Sequence, residues 1–172
     1  MDRTILVVLG ALTGIANPAR SSAQASAITA HPMLLSFSGQ AQRFLALEYR
    51  AFATEFMGCL LGEVRGDTVL VERIAPADVD PAQSTATHVV PQQTCEAAGW
   101  GSTLGLIHSH PTGERCWYFF PGTSVPTSDG YSFLLGSYSV DAIMCGDRVV
   151  WVARNQPQQE ITLTTRLASI DH

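Results

Sequence analysis

Charged side chains are scarce in this sequence, since Asp, Glu, Lys and Arg together make up 15% of its 172 residues. The ten Lys and Arg residues are scattered and form no basic stripe that could follow a nucleic-acid backbone. The sequence therefore argues against nucleic-acid binding. Apolar residues make up 46% of the chain, which is enough for a single domain with a hydrophobic core.

The sequence also lacks an apolar run long enough to cross a membrane, which takes about 20 residues. Its most hydrophobic segment is residues 5–16, followed by small residues that include Ala23-Gln24-Ala25. A short apolar core with an Ala-x-Ala exit is typical of a secretory signal peptide. We therefore predict a signal peptide over 1–27, one domain over 28–172, and export. A buried N-terminal element in a cytoplasmic protein is the alternative.

Cysteines are few, and none of them forms a C-x-x-C pair, which argues against a cysteine-built zinc knuckle. In an exported protein an even number of cysteines predicts disulfides, here with three possible pairings that the sequence leaves open. The alternative is that some are small buried apolar residues. The four residues are Cys59, Cys95, Cys116 and Cys145.

Local patterns predict an α+β fold, in which a mixed, mostly antiparallel sheet carries flanking helices. Apolar spacing favours an amphipathic helix over 38–53, and a second, short helix is expected near 92–98. Residues 112–127 are rich in Gly and Pro and predict a long loop. Strands are predicted at 55–62, 68–74 and 102–110, with a hairpin about Gly146-Asp147 and a last strand from 160.

Two of the five histidines, His108 and His110, lie one residue apart at the end of an apolar strand. Residues i and i+2 of a strand share a face, with their α-carbons about 6.5 Å apart. This arrangement suits one metal ion, because catalytic zinc takes three protein ligands and keeps a fourth position for water. An exposed polar pair is the alternative. His31, His88 and His172 show no partner pattern and are interpreted as solvent-facing.

Two segments resemble the JAMM (MPN-type) zinc metallopeptidases. EFMGCLLG, residues 55–62, is similar to their E-x-x-G-x-L-L-G strand, and His108-Ser-His-Pro111 is similar to their H-[ST]-H-P segment. The resemblance covers residues 38–150 and implies a JAMM/cytidine-deaminase-like architecture with one Zn²⁺ per chain. It also implies that zinc-activated water cleaves a peptide or isopeptide bond, with Glu55 as general acid/base. A surface carboxylate at a helix end is the alternative for Glu55.

The chain departs from this family after the histidines, because it contains no S-x-x-D pattern. The resemblance implies Asp129 as the third zinc ligand, with 18 residues between it and His110. Glu114 lies too close to His110 in the chain to swing round easily. The family's serine stabilises the oxyanion. Its counterpart here is Ser128, with Ser124 and Thr127 as alternatives.

The longer spacing before Asp129 reflects an insertion, residues 116–122, with four consecutive aromatics from Trp117 to Phe120. Exposed aromatic patches usually mark binding surfaces, so we expect this loop beside the metal, in contact with substrate. Packing in the core or in a dimer seam is the alternative. Cys116 could also approach the metal, although a disulfide or plain packing is the better interpretation.

The resemblance thus predicts a zinc metallopeptidase whose partner is a peptide or protein substrate, with neither nucleic acid nor a stable membrane span. Two rival functions stay open. The first is a non-catalytic MPN-like binding module that has lost the metal site, which the missing S-x-x-D pattern favours. The second is a protein that keeps the metal for a structural purpose only.

Overall fold

A computed structural model describes residues 34–164 of the chain. The predicted signal peptide, residues 1–27, lies outside the described residues. The elements are, in chain order, β1 (Leu34–Phe37), α1 (Gly39–Ala51), β2 (Met57–Arg65), β3 (Thr68–Pro76), β4 (Thr103–Ser109), α2 (Ser128–Leu135), β5 (Val140–Cys145), β6 (Arg148–Ala153) and β7 (Gln159–Thr162).

The seven strands form one sheet in the order β1-β3-β2-β4-β5-β6-β7. β1 pairs with β3 and β4 with β5 in parallel, whereas the other neighbours are antiparallel. β4 therefore lies in the middle of the sheet, hydrogen-bonded to β2 on one side and to β5 on the other. Side chains at its carboxyl end are surrounded by protein.

The predicted fold class is wrong. The described part of the chain is mostly β, and its seven-stranded sheet is accompanied by only two short helices, of 13 and 8 residues. It is neither the α+β fold with flanking helices that the local patterns predicted nor the JAMM/cytidine-deaminase-like architecture that the resemblance implied. The β-branched and aromatic segments form strands, and the Gly- and Pro-rich residues 112–127 form the predicted loop.

Residues 92–98, predicted as a helix, form a bend at 92–93 and turns from Cys95 onwards instead. Cys95 at their centre is joined to Cys59 of β2, and the chain turns away from the helical path at Gly99, whose φ is 90°. So short a segment gains little from helical cooperativity. The covalent tie to the sheet therefore decides its conformation.

The helix predicted over 38–53 is found as α1, which begins after Ser38 as expected. The Ser38 hydroxyl oxygen accepts a hydrogen bond from the Ala41 amide, at 3.1 Å, and so caps the helix. Ala41 and Leu45 are buried against one face of the sheet, next to Val71 of β3. The main hydrophobic core therefore lies between α1 and this face.

The opposite face of the sheet carries a second, smaller apolar cluster. Ile143, Val150 and Val152 from β5 and β6 pack there beneath Tyr118 and Phe133. Phe133 belongs to α2, so this cluster fixes α2 on the sheet. α1 and α2 thus cover different faces, and the candidate site lies on the face that α2 covers.

Two disulfides, Cys59–Cys95 and Cys116–Cys145, answer the pairing question that the sequence left open. Disulfides form and persist in oxidising compartments, so this pairing supports an oxidising environment for the protein. Neither described helix is long and apolar enough to cross a membrane.

Candidate metal centre

The two histidines lie at the carboxyl end of the central strand β4. His108 pairs with Met57 of β2 and with Ile143 of β5. The His110 amide donates to the carbonyl oxygen of Met144, at 2.9 Å. The strand bonding thus continues past the end of β4 and holds both imidazoles on the face covered by α2.

Glu55 is brought to the same place by the backbone bonds of the two residues that precede β2. The Phe56 amide donates to the Ser109 hydroxyl oxygen, at 3.0 Å, and the Ser109 amide donates to the Phe56 carbonyl oxygen, at 3.1 Å. The Glu55 amide donates to the carbonyl oxygen of Thr85, at 2.8 Å. The backbone of Glu55 is therefore fixed between the end of β4 and the loop that precedes β4.

Asp129 lies on a third element, in the first turn of α2. Thr127 is the N-cap, and its hydroxyl oxygen accepts from the Gly130 amide, at 3.2 Å, while donating to the carbonyl oxygen of Tyr118, at 3.1 Å. These bonds anchor the start of α2 on the insertion. A carboxylate in the first turn is also favoured by the positive end of the helix dipole.

The structure brings the three predicted metal ligands together. Asp129 places Oδ1 3.8 Å from His108 Nε2 and Oδ2 3.6 Å from His110 Nε2. One ligand atom from each of the three residues lies within 4.8 Å of the others, so the group could hold a metal ion. Two imidazoles and a carboxylate are a ligand set that catalytic zinc uses.

The second imidazole nitrogen of His110 has a partner that selects its tautomer. His110 Nδ1 lies 2.9 Å from the carbonyl oxygen of Glu114. A carbonyl oxygen only accepts, so Nδ1 carries the proton and the lone pair is on Nε2, which faces Asp129. Tyr49 of α1 also donates its hydroxyl to the His110 carbonyl oxygen, at 2.9 Å. These two bonds select the tautomer of the His110 imidazole and tie the backbone of His110 to α1.

Burial excludes the simpler alternatives for these residues. His108 and His110 are 7% and 8% exposed, which rules out an exposed polar pair. Burial and, second, the neighbouring His110 lower the pKa of His108 to about 3. His108 is therefore neutral at physiological pH, the form that binds metals. Burial also raises the pKa of Asp129, against the opposing effect of His110 and His88.

Glu55 is a buried carboxyl beside the ligands and not a surface group, because it is only 4% exposed. Its Oε1 lies 3.7 Å from His110 Nε2. Burial and, second, the charge of Asp129 raise its pKa to about 7. A carboxyl with this pKa can both accept and release a proton near neutral pH, as a general acid/base must.

Two cavities open on the site. The inner cavity has a volume of about 330 Å³, and its lining includes His108, Leu106 and Asp141. The outer cavity's lining includes His110 and, from the insertion, Trp117 and Phe120. Glu55, Thr87, Ser128 and Asp129 line both cavities. A substrate extended across the site would therefore reach into both cavities.

The three candidate hydroxyls differ in the cavities that their residues line and in the hydrogen bonds that they make. Ser128 is exposed and lines both cavities together with Glu55 and Asp129. The Thr127 hydroxyl is engaged in capping α2. Ser124 lines a different cavity, formed by Phe119, Phe120 and the residues that precede β7. Ser128 therefore lines the site beside Glu55 and Asp129, and its hydroxyl makes no hydrogen bond within residues 34–164.

Part of the aromatic insertion lines the site, and part of it is buried in the core. Trp117 and Phe120 line the outer cavity beside the ligands, in line with the expected contact with substrate. Tyr118 is fully buried in the cluster under α2. For this residue the alternative prediction, packing in the core, is the one observed. Cys116 lies close to His110, but its sulfur is bonded to Cys145 and offers no thiolate to a metal.

Sequence reasoning missed two polar residues of the inner cavity, His88 and Asp141. His88 is exposed, as predicted, and has no recognisable spacing to the metal ligands in the sequence. It reaches the site because its carbonyl oxygen accepts from the Thr85 amide, at 2.7 Å, in the loop that also holds Glu55. Asp141 did carry a signal, since an acid within the apolar segment VDAIMC needs a structural or functional reason.

Comparison with known proteins adds little to this description. Neither a protein-family model nor a curated protein matches the chain. Among solved structures, the chain is similar to the solution structure of protein DSY2949 from Desulfitobacterium hafniense. The two share 19% sequence identity with a TM-score of 0.41, over 76% of this chain and 90% of that chain. Similarity at this level does not identify a family.

We predict that Gly130→Ala weakens both the fold and the metal site. A β-carbon at this position would overlap the carbonyl oxygen of Tyr118, so the start of α2 must move away from the insertion. We expect a loss of about 1–3 kcal/mol in the free energy of unfolding, measured by urea denaturation, and weaker metal binding through Asp129. Gly101→Ala is the control, because a β-carbon there meets no atom within 4 Å. Equal free energies of unfolding for Gly130→Ala and Gly101→Ala would contradict the close approach of Gly130 to the Tyr118 carbonyl oxygen.

The raised pKa of Glu55 predicts a pH-dependent stability in the metal-free protein. The group titrates at about 7 in the fold against an ordinary value of 4.5. Between these two values the unfolded chain has lost the proton and the fold retains it, so the contribution of Glu55 to stability falls as pH rises. Glu55→Gln stays neutral throughout. The variant should therefore become progressively more stable relative to the wild type over this range.

Urea denaturation of chelator-treated protein at several pH values measures this difference in the free energy of unfolding. Glu72→Gln, at an exposed position of β3, is the control and should show no such trend. A difference between Glu55→Gln and wild type that stays constant with pH would mean that the carboxyl titrates normally.

Proposed function

We propose that the protein is a zinc-dependent hydrolase that cleaves a peptide or isopeptide bond by the chemistry of the JAMM-type metallopeptidases. One observation carries the proposal: three metal ligands converge beside a buried carboxyl, Glu55, whose pKa is raised to about 7. His108, His110 and Asp129 would complete a zinc site that keeps a position for water. The support comes from these side chains and not from the fold.

Each residue of the site has a separate role in the proposed reaction. His108, His110 and Asp129 would hold the zinc ion, which would supply a bound water with a pKa of about 7 and polarisation of the scissile carbonyl. Glu55 accepts the proton of the attacking water as the water oxygen bonds to the carbonyl carbon. Glu55 then delivers that proton to the nitrogen of the leaving amine as the carbon–nitrogen bond breaks. The products are a carboxylic acid and an amine.

The carbonyl oxygen gains negative charge as the water attacks, and a hydrogen-bond donor aimed at it lowers the barrier. Ser128 would fill this role, which its position in the lining of both cavities beside Asp129 supports. The serine of the S-x-x-D pattern is absent from the chain, so the donor comes from the residue directly before the third ligand. The missing pattern therefore does not by itself favour a non-catalytic module.

We also propose that the protein is exported, which the two disulfides support. Such a hydrolase would act outside the cytosol. Cell-wall peptides or the proteins of another organism are then its substrates.

Metal analysis combined with a cleavage screen tests the proposed function. We expect about one zinc per chain in the purified protein. Mass spectrometry should detect hydrolysis within a peptide and isopeptide library, its loss with a chelator, and its return with added zinc. Iron is measured in the same samples, since two histidines and a carboxylate also suit Fe(II).

The rival functions predict different outcomes of this experiment. A folded protein with no affinity for zinc would support the non-catalytic module. Tightly bound zinc without hydrolysis of any library member, together with a lower melting temperature after chelation, would support a structural metal. Iron in place of zinc would contradict the proposed metal.

A further inference from the structure

The inner cavity has an apolar floor built by the sheet and one acidic residue within that floor. Met57 of β2, Leu106 of β4 and Asp141 of β5 come from adjacent strands. One wall is the segment that contains His88 and Val89, and α2 provides the other wall. The cavity is therefore a slot that begins at the metal ligands and runs along the sheet.

Strand register gives the offset along the strands between His108 and Asp141, which lies one strand across, so that their α-carbons are about 8 Å apart. Leu106 pairs with Asp141, and His108 pairs with Ile143. Paired residues of neighbouring strands point to the same face, so Asp141 lies on the face of His108 and two positions before it. This offset corresponds to about 6.5 Å along the sheet. An unbranched side chain with a four-carbon stem, such as that of lysine, spans a distance of this order.

Asp141 is incompletely satisfied by the protein. Its Oδ1 accepts from the Tyr118 hydroxyl, at 3.1 Å, and from the Ala142 amide, at 2.8 Å. Within residues 34–164 no hydrogen bond to Oδ2 is found. Burial raises the pKa of this carboxyl to about 7. A ligand that supplied a hydrogen-bond donor would compensate for the lost hydration.

The nearest cation does not supply that donor. Arg154 acts on Asp141 electrostatically, but its guanidinium donates to the carbonyl oxygens of Leu134, Gly136 and Tyr138 and lies over the Phe133 ring. These bonds hold the carboxyl end of α2. Arg154 therefore supports the helix that lines the cavity. The carboxyl of Asp141 remains available to accept a hydrogen bond from a ligand.

We propose that the inner cavity is a specificity pocket for a lysine-type side chain, whose apolar stem packs on Met57 and Leu106 and whose terminal amine pairs with Asp141. The inference rests on the proposed function and deepens it by naming the substrate class. The substrate would carry an unbranched, amine-terminated side chain on the residue next to the scissile bond. A hydrogen bond to a charged group contributes about 1.5–3 kcal/mol, so the preference over an apolar side chain of equal length should be roughly tenfold to hundredfold.

Binding of two amino-acid hydroxamates tests the pocket without requiring turnover. Lysine hydroxamate and norleucine hydroxamate share the metal-binding group and the stem, and differ in the terminal amine. We expect calorimetry on the zinc-loaded protein to give a Kd for lysine hydroxamate that is roughly tenfold or more lower. The same ratio should appear in kcat/KM for matched lysine and norleucine substrates.

Asp141→Asn is the variant that separates recognition from folding. The Asn side-chain oxygen can still accept from the Tyr118 hydroxyl and the Ala142 amide, so the local structure is retained. We expect the lysine preference to disappear while norleucine hydroxamate binds as before. Ser132→Phe, an exposed position on α2 that lines the cavity, leaves Asp141 intact and should weaken binding of both hydroxamates by narrowing the slot.

The results of this experiment distinguish failure of the lysine pocket from failure of the proposed hydrolase function. Equal affinity of the two hydroxamates in the wild type, or a lysine preference that survives in Asp141→Asn, overturns the pocket and leaves the hydrolase standing. Zinc-loaded protein that binds neither hydroxamate has no open metal position, and both proposals then fail.

Discussion

Replacing Glu55 with Gln is expected to lower kcat/KM by about 10²- to 10⁴-fold and to leave the zinc content unchanged. Glutamine has nearly the same shape as the acid but cannot accept the proton of water. The site otherwise stays intact, because Glu55 is not needed as a metal ligand. Zinc analysis and initial-rate kinetics on the same preparation measure both quantities.

Glu72→Gln is the matched control for this experiment, since it makes the same chemical change at an exposed position of β3. Its kinetics should equal those of the wild type. Retention of wild-type kcat/KM by Glu55→Gln would remove Glu55 from the reaction. If zinc were lost in Glu55→Gln, the carboxyl would be a ligand and not the acid/base.

The second large effect concerns the metal ligands themselves. The double substitution His108→Ala/His110→Ala is expected to abolish stoichiometric zinc binding, and with it all hydrolysis. It removes two of the three ligands, and Asp129 alone cannot replace the three protein ligands that a catalytic zinc takes. Metal analysis after dialysis against a weak chelator gives the zinc content, and circular dichroism checks that the sheet is retained.

His88→Ala is the control for metal content, because His88 faces the inner cavity without belonging to the converging ligand set. It should retain about one zinc per chain. Equal zinc content in the wild type and the double variant would place the metal elsewhere and contradict the ligand assignment.

Much of the candidate site could be predicted from local sequence. His108 and His110 were predicted as a pair because strand periodicity alone puts alternate residues on one face. Glu55 drew attention because an acid in an apolar strand needs a reason. Asp129 was predicted by resemblance to a family motif, despite the insertion before it, and the structure brings it within 3.8 Å of both imidazoles.

The fold class could not be predicted in the same way, because it depends on long-range pairing. Residues 92–98 have acceptable helical composition, but the disulfide to Cys59 holds them in turns. His88 and Asp141 reach the inner cavity through the loop tied to Thr85 and through the register of β4 with β5. Neither relation can be read from the local sequence, although Asp141 itself stands out as an acid within an apolar strand.

Zinc titration into the metal-free protein, with hydrolysis of a cleavable library peptide followed at every addition, tests the hydrolase proposal most directly. We expect the rate to rise linearly and to stop rising at about one zinc per chain. Glu55→Gln should bind the same amount of zinc and stay at least about 10²-fold slower at every point. Saturation with zinc without any peptide hydrolysis, or hydrolysis that does not depend on zinc, would contradict the proposed function.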